Sequence, residues 1–381
     1  TEPTNQTEPT NQTEPTDQTE PPDQTIDEAA SHYTFQWVGS FNAQVLRTLH
    51  IPNTEQFVSV TTTDQDGERH VLVHEVDRFQ TPPRLTTAVL SLEGGRVDDL
   101  VIFDGTIWLC GEDADGQGAL WTIENPSNPE LSLVTNAPYG YFKALASHDD
   151  TLMLLERTEG NNAWIHRIYR LSSDQETVEL YSSPHISSTG ADDLALFWDP
   201  YLEIVKPTIV GGTNGAEFAS FESHLSRWVR VGSLGNTSRI EASPTGLTGF
   251  MVQWSGRRIT PILPAAQPAE TSASQAFSNR GIYGGAYSPQ GTRAMVVGRT
   301  SVDQASIITW YSESADCHDP SDCPWVDQPL PNFTNAPYYA TSNTYLMDVA
   351  YGDDGRWGLI VGGETSFNIQ TGLFILFQLA Q

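Results

Sequence analysis

The chain has 381 residues, 38% of them apolar, and a formal net charge of −29, with Lys143 and Lys206 its only lysines. So acidic a balance argues against nucleic acid as a partner, because neutralising phosphates takes a basic face. No apolar run approaches the roughly 20 residues of a membrane-crossing helix, so no membrane span is expected.

The first 24 residues are four hexapeptides, TEPTNQ twice, then TEPTDQ and TEPPDQ. They offer no apolar side chain to bury and repeat proline every sixth position, so ordering them gains nothing. Residues 1–30 are therefore expected to be a disordered, acidic spacer ahead of one folded domain over 31–381. At about 3.1 Å per residue the segment would reach on the order of 80 Å. Such a spacer holds a domain off a surface, with its anchor, a lipid for example, upstream of Thr1.

Beyond the tail the chain reads as strands. Tyr33–Val38 is a strand outside any repeat. Seven turns then recur, at Gly67, Gly105, Asp150, Pro200, Gly246, Gly291 and Gly355, at intervals of 38–64 residues. Each joins two apolar segments, and a strand–turn–strand at such a period is how a β-propeller reads. The expected fold is all-β, a seven-bladed propeller. Pro261 to Ser278 reads as a connector between blades five and six, and 311–344 as an insertion before blade seven. The closing segment, Leu373–Leu379, is again a strand. With Tyr33–Val38 beside it, the last blade would be complete and the ring would have no open edge.

The best internal match is Ser243-Pro244-Thr245-Gly246 against Ser288-Pro289-Gln290-Gly291, each followed by an apolar strand. Asp353-Asp354-Gly355 and Asp104-Gly105 repeat the scheme. These residues resemble the Ser-Pro-Asp-Gly hairpins of TolB-like and other WD-like propeller repeats. The aspartate is missing from both Ser-Pro-x-Gly copies, and Trp198-Asp199 falls at a hairpin instead of a blade end. The resemblance implies a fold and little about activity, since propellers host many functions.

In propellers of that type the strand before each such hairpin is innermost, with alternate side chains facing a central channel. Counting seven residues back from each turn gives Val60, Asp98, Lys143, Asp193, Arg239, Gly284 and Asp348. Five are charged, inside otherwise apolar strands, and a charge there needs a partner or water. They would form either an ion-pair ring or a ligand site at the channel mouth. Tyr139, Tyr338 and Tyr339, with Tyr141, Phe142, Tyr283 and Tyr345, crowd the segments leading into two blades. Tyrosine there suits a sugar or protein partner, or else packs between blades.

Asp64-Gln65-Asp66-Gly67 and Asp113-Ala114-Asp115-Gly116 have the start of a calcium loop without its later acidic ligands. Calcium is the one cofactor to consider, and none is otherwise expected. Cys317 and Cys323 bracket a polar loop and would pair as a disulfide in an oxidising compartment. Cys110, in Ile107-Trp108-Leu109-Cys110, reads as a buried small hydrophobe. Among nucleophile, metalloprotease and phosphate-loop signatures, the chain carries none.

The leading expectation is a secreted or envelope-exposed binding module without catalysis, meeting protein or carbohydrate at a cell surface. The alternatives are a polysaccharide-acting hydrolase or lyase using carboxylates at the channel mouth, and a structural part of a surface assembly.

Overall fold

The structure is a computed structural model. It describes residues 33–380 apart from 138–139, 161–163, 173–177, 185–189, 212–215, 223–226, 235–236, 254–257, 264–269, 272–274, 277–279, 301–304, 312–324, 329–343 and 367–368. The spacer expected at 1–30 lies outside them, as do Tyr139, Tyr338, Tyr339, Cys317 and Cys323.

Seven small antiparallel sheets make up a seven-bladed β-propeller, with no helix among the described residues. The innermost strands of blades one to seven are Val45–His50, Arg96–Phe103, Tyr141–His148, Ala191–Asp199, Thr237–Ala242, Arg280–Tyr287 and Thr344–Tyr351. In blade seven the outermost strand is Tyr33–Phe41, paired antiparallel with Ile369–Leu379. The first and last segments of the described chain thus share one sheet.

Burial explains why the middle strands read as continuous apolar runs. Gly118–Ile123 is buried at all six positions, because a neighbouring blade covers each face. The outer strand Arg84–Ser91 alternates between half-buried and exposed, having water on one side. The apolar core is accordingly divided into seven clusters, one per blade interface. Val58, Val71, Val97 and Leu109 fill the first, and Phe57, Trp357, Leu359 and Phe374 fill the last. Burying each such side chain is worth about 1.5–3 kcal/mol. Cys110 lies in the cluster between blades two and three, where burial pushes its thiol up.

Each innermost strand carries a β-bulge at the same place. The register against the second strand slips at Leu46, Asp98, Lys143, Asp192, Ser238, Tyr283 and Met347 in turn. A bulge adds one residue to the strand and re-aims the side chains that follow. The residues just after it are Arg47, Asp99, Ala144, Asp193, Arg239, Gly284 and Asp348, and these form the channel ring.

Three sequence expectations are corrected by this register. The turn at Gly67 joins the second and third strands of blade one, so Val60 lies in a second strand, fully buried in the first interface cluster. Asp98 and Lys143 are bulge residues, and their places in the ring belong to Asp99 and Ala144. Pro261 is still within the third strand of blade five, paired with Phe250, and the expected insertion contains Val326–Gln328, the outer strand of blade six.

The slip in blades two and three has a definite cause. Their inner strands end in two-residue turns, at Asp104-Gly105 and Asp149-Asp150, whereas the other counted turns are longer. Asp104 and Gly105 have φ of 50° and 73°, the left-handed pair that a tight hairpin of this hand requires. Shorter turns bring the marker one residue closer to the ring.

Candidate functional site

An innermost strand is an edge strand, with backbone N–H groups on its channel side that no further strand can take. Three ring carboxylates meet that demand, each reaching from one blade to the next. Asp99 Oδ2 accepts the N–H of Leu145 at 2.9 Å, Asp193 Oδ2 that of Ile240 at 2.9 Å, and Asp348 Oδ2 that of Thr48 at 3.0 Å. In each case the acceptor is the ring residue of its blade, and the donor follows the ring residue of the next. The last of the three closes the circle from blade seven to blade one.

Two arginines neutralise these carboxylates. Arg239 Nη1 lies 2.6 Å from Asp348 Oδ1, its Nε 3.7 Å from Asp193 Oδ2 and its Nη2 3.3 Å from Glu241 Oε1. Arg47 Nε is 3.8 Å from Asp99 Oδ1. Burial alone would push the Arg239 guanidinium down, but Asp348, Glu241 and Asp193 together hold it above its ordinary range. Burial raises Asp99 to about 6, opposed by Arg47, and raises Glu241 to about 8, opposed by Arg239.

The ring is the floor of a cup of about 440 Å³ that faces the hairpins joining inner and second strands. Two residues beyond the ring, the wall is built from Leu49, Val101, Ala146, Ala195, Ala286 and Ala350, with Glu241 as the one ionisable residue of that layer. Glu241 keeps about a quarter of its side chain in contact with channel solvent, 24%. At neutral pH a carboxyl group titrating near 8 is mostly protonated and can donate a hydrogen bond into the cup.

Of the sequence candidates, the structure brings together Asp193, Arg239 and Asp348. Asp98 and Lys143 form a separate pair at the other end of the channel, 3.1 Å apart, with Arg96 Nε 3.0 Å from Asp98. Arg47, Asp99 and Glu241 were missed by the count. Alternation would have given Glu241, two residues past Arg239, and the Asp98-Asp99 pair held the right residue one step along. Phe142 is fully buried between blades two and three, whereas Tyr283 and Tyr345 stand side by side at 6.3 Å and Tyr141 lies under Arg96.

The Asp-x-Asp-Gly runs are second-to-third strand hairpins. Asp64 Oδ1 accepts the N–H groups of Asp66 and Glu68, and Asp113 Oδ1 those of Asp115 and Gln117. These carboxylates are thus engaged by their own turns. Among the described residues no group of three His, Cys, Asp or Glu side chains is placed to hold a metal ion.

Fold and channel together define a seven-bladed propeller whose hub is an ion-paired ring beneath a cup. No family model matches the chain, and a search of curated proteins finds no match either.

Proposed function

We propose that this chain is a binding module, secreted or exposed on a cell envelope, that takes a protein or carbohydrate partner and performs no chemistry. One observation carries the reading: the ring carboxylates are spent on joining blades. Asp99, Asp193 and Asp348 each hold the next blade's backbone while an arginine holds them. Groups so committed make a rigid, pre-formed floor, which favours recognition over proton transfer. The cup combines an aliphatic layer with a few polar groups, Glu241, Ser147, Tyr287 and Tyr351 among them, the common composition of a small-ligand pocket. Tyr139, Tyr338 and Tyr339 would add aromatic surface for the partner, and the acidic segment 1–30 would hold the domain away from its anchor.

A second reading rests on Glu241 itself. A carboxyl group titrating near 8 in a cup is what a general acid needs, so a polysaccharide hydrolase or lyase remains the alternative. Screening the full chain against a glycan array and surface proteins, then repeating with Glu241→Gln, separates the two. Binding altered in the variant without turnover in either protein supports the cup as a binding site. Turnover that vanishes in the variant makes the protein an enzyme, and binding indifferent to the change removes the cup from the account.

A further inference from the structure

Apart from the cup, a second cavity of about 310 Å³ opens at the opposite face, where blades one and two diverge. Its wall includes Leu46, Thr63 and Arg69 from blade one, and Arg96, Val97 and Asp98 from blade two. Arg69 is half-buried there, and its Nε donates to Thr63 Oγ1 at 2.9 Å. No carboxylate stands within ion-pair distance of Arg69 among the described residues. In a chain with 48 acidic and 19 basic residues, a carboxylate partner is easy to supply, so a half-buried arginine lacking one is conspicuous. Arg84, Arg170, Arg258 and Arg356 also have no such partner, and all four are exposed.

Arg96, across the cavity, is the contrasting case. Its Nε is 3.0 Å from Asp98, its Nη2 is 3.3 Å from Glu112, and Tyr141 covers its face at 5.0 Å. Its charge is matched and its position fixed. The cavity therefore holds one uncompensated cation, Arg69, whose two Nη groups form the flat fork that fits a carboxylate edge-on. The Thr63 hydroxyl, accepting from Arg69, keeps its own proton to donate. Asp98, already fixed by Lys143 and Arg96, is placed to accept from a ligand hydroxyl. Leu46 and Val97 supply apolar surface for the carbon face of a ring.

We propose that this cleft binds one small hydroxylated monocarboxylate, the size of a single sugar acid, with its carboxylate on Arg69. The volume sits at the lower bound of small-molecule pockets, roughly 300 Å³, enough for one ring and too little for a chain segment. Asp98 in the wall and the protein's acid excess both disfavour a dianion such as inorganic phosphate.

The test titrates the full chain with glucuronate, glucose and inorganic phosphate by calorimetry or by shifts of the arginine Nε–H resonances. Saturable glucuronate binding is expected, with glucose and phosphate weaker by about tenfold or more. Arg69→Gln should weaken glucuronate by at least about tenfold, and Arg69→Lys likewise, because the charge remains while the fork is lost. Arg84→Gln, on the exposed outer strand of the same blade, should leave it unchanged. A melting curve for each variant checks that the fold persists. No saturable binding, equal binding by Arg69→Gln, or glucose or phosphate bound as well as glucuronate each overturns the proposal.

Discussion

Arg239 and Asp348 meet at 2.6 Å although a whole blade lies between their strands. Blade six offers Gly284 at its ring position, and the guanidinium of blade five reaches past it to the carboxylate of blade seven. A Cβ on Gly284 would stand 2.9 Å from Asp348 Oδ1 and collide with the carbonyl of Met347. The missing side chain is thus a condition of the ion pair. Gly284→Ala should destabilise the fold by about 1–3 kcal/mol through overpacking. Asp348→Ala, which leaves Arg239 short of its nearest acid and the Thr48 N–H uncapped, should cost about 3–5 kcal/mol. Urea midpoints give both numbers, and an unshifted midpoint for Gly284→Ala would mean that blade six does not constrain the pair.

Blade four contains a second ion pair, in a drier place. Lys206 and Asp199 have fully buried side chains with Nζ and Oδ2 3.5 Å apart, and Asp199 Oδ1 accepts the N–H groups of Tyr201 and Leu202 in the adjoining turn. Removing the lysine strands a buried carboxylate. Lys206→Met should therefore cost about 3–5 kcal/mol, and the double change Lys206→Met with Asp199→Asn should cost less than the sum of the single changes. Additive costs in that cycle would show that the two groups do not interact.

The propeller was legible because its inner strands end in turns marked by Pro, Asp or Gly, and turn chemistry is local. Blade one hid its ring residue, since Ile51-Pro52-Asn53-Thr54-Glu55 carries no glycine and Gly67 marks the next hairpin along. The ring itself was half legible. A charge within an apolar strand announces that something must neutralise it, and that reasoning found Asp193, Arg239 and Asp348. It could not find the bulges, which are set by how each inner strand meets its second strand and leave no mark in composition. Nor could it see that Asp98 and Asp99, adjacent in sequence, serve opposite ends of the channel.

Ring closure through blade seven gives a third expectation. Tyr33–Phe41 covers the edge of Ile369–Leu379, with Tyr33 packed edge-on against Phe377 at 5.5 Å and Phe35 buried in the interface with blade six. Phe35→Ala should lower stability by about 3 kcal/mol. Deleting residues 33–41 bares a long apolar edge strand, which favours pairing between molecules. Size-exclusion chromatography should then show higher oligomers than the intact chain, and a monomer of undiminished stability would show that this strand is dispensable.

The hub makes stability depend on pH in a stated direction. Glu241 moves from an ordinary 4.5 to about 8 and Asp99 from 3.8 to about 6, both raised chiefly by burial. An acid whose folded value lies above its unfolded value binds its proton more tightly when folded. Its contribution is fully present below the unfolded value and is lost as pH rises through the folded one. Asp99 therefore loses its share between about 4 and 6, and Glu241 its share between about 4.5 and 8. Glu241→Gln mimics the protonated form at every pH. The variant should match the parent below about pH 4, exceed it in melting temperature above pH 8, and show a flatter profile between pH 6 and 8. Identical profiles for the two proteins would mean that Glu241 ionises in the cup without cost, and would remove it as the titrating group of the hub.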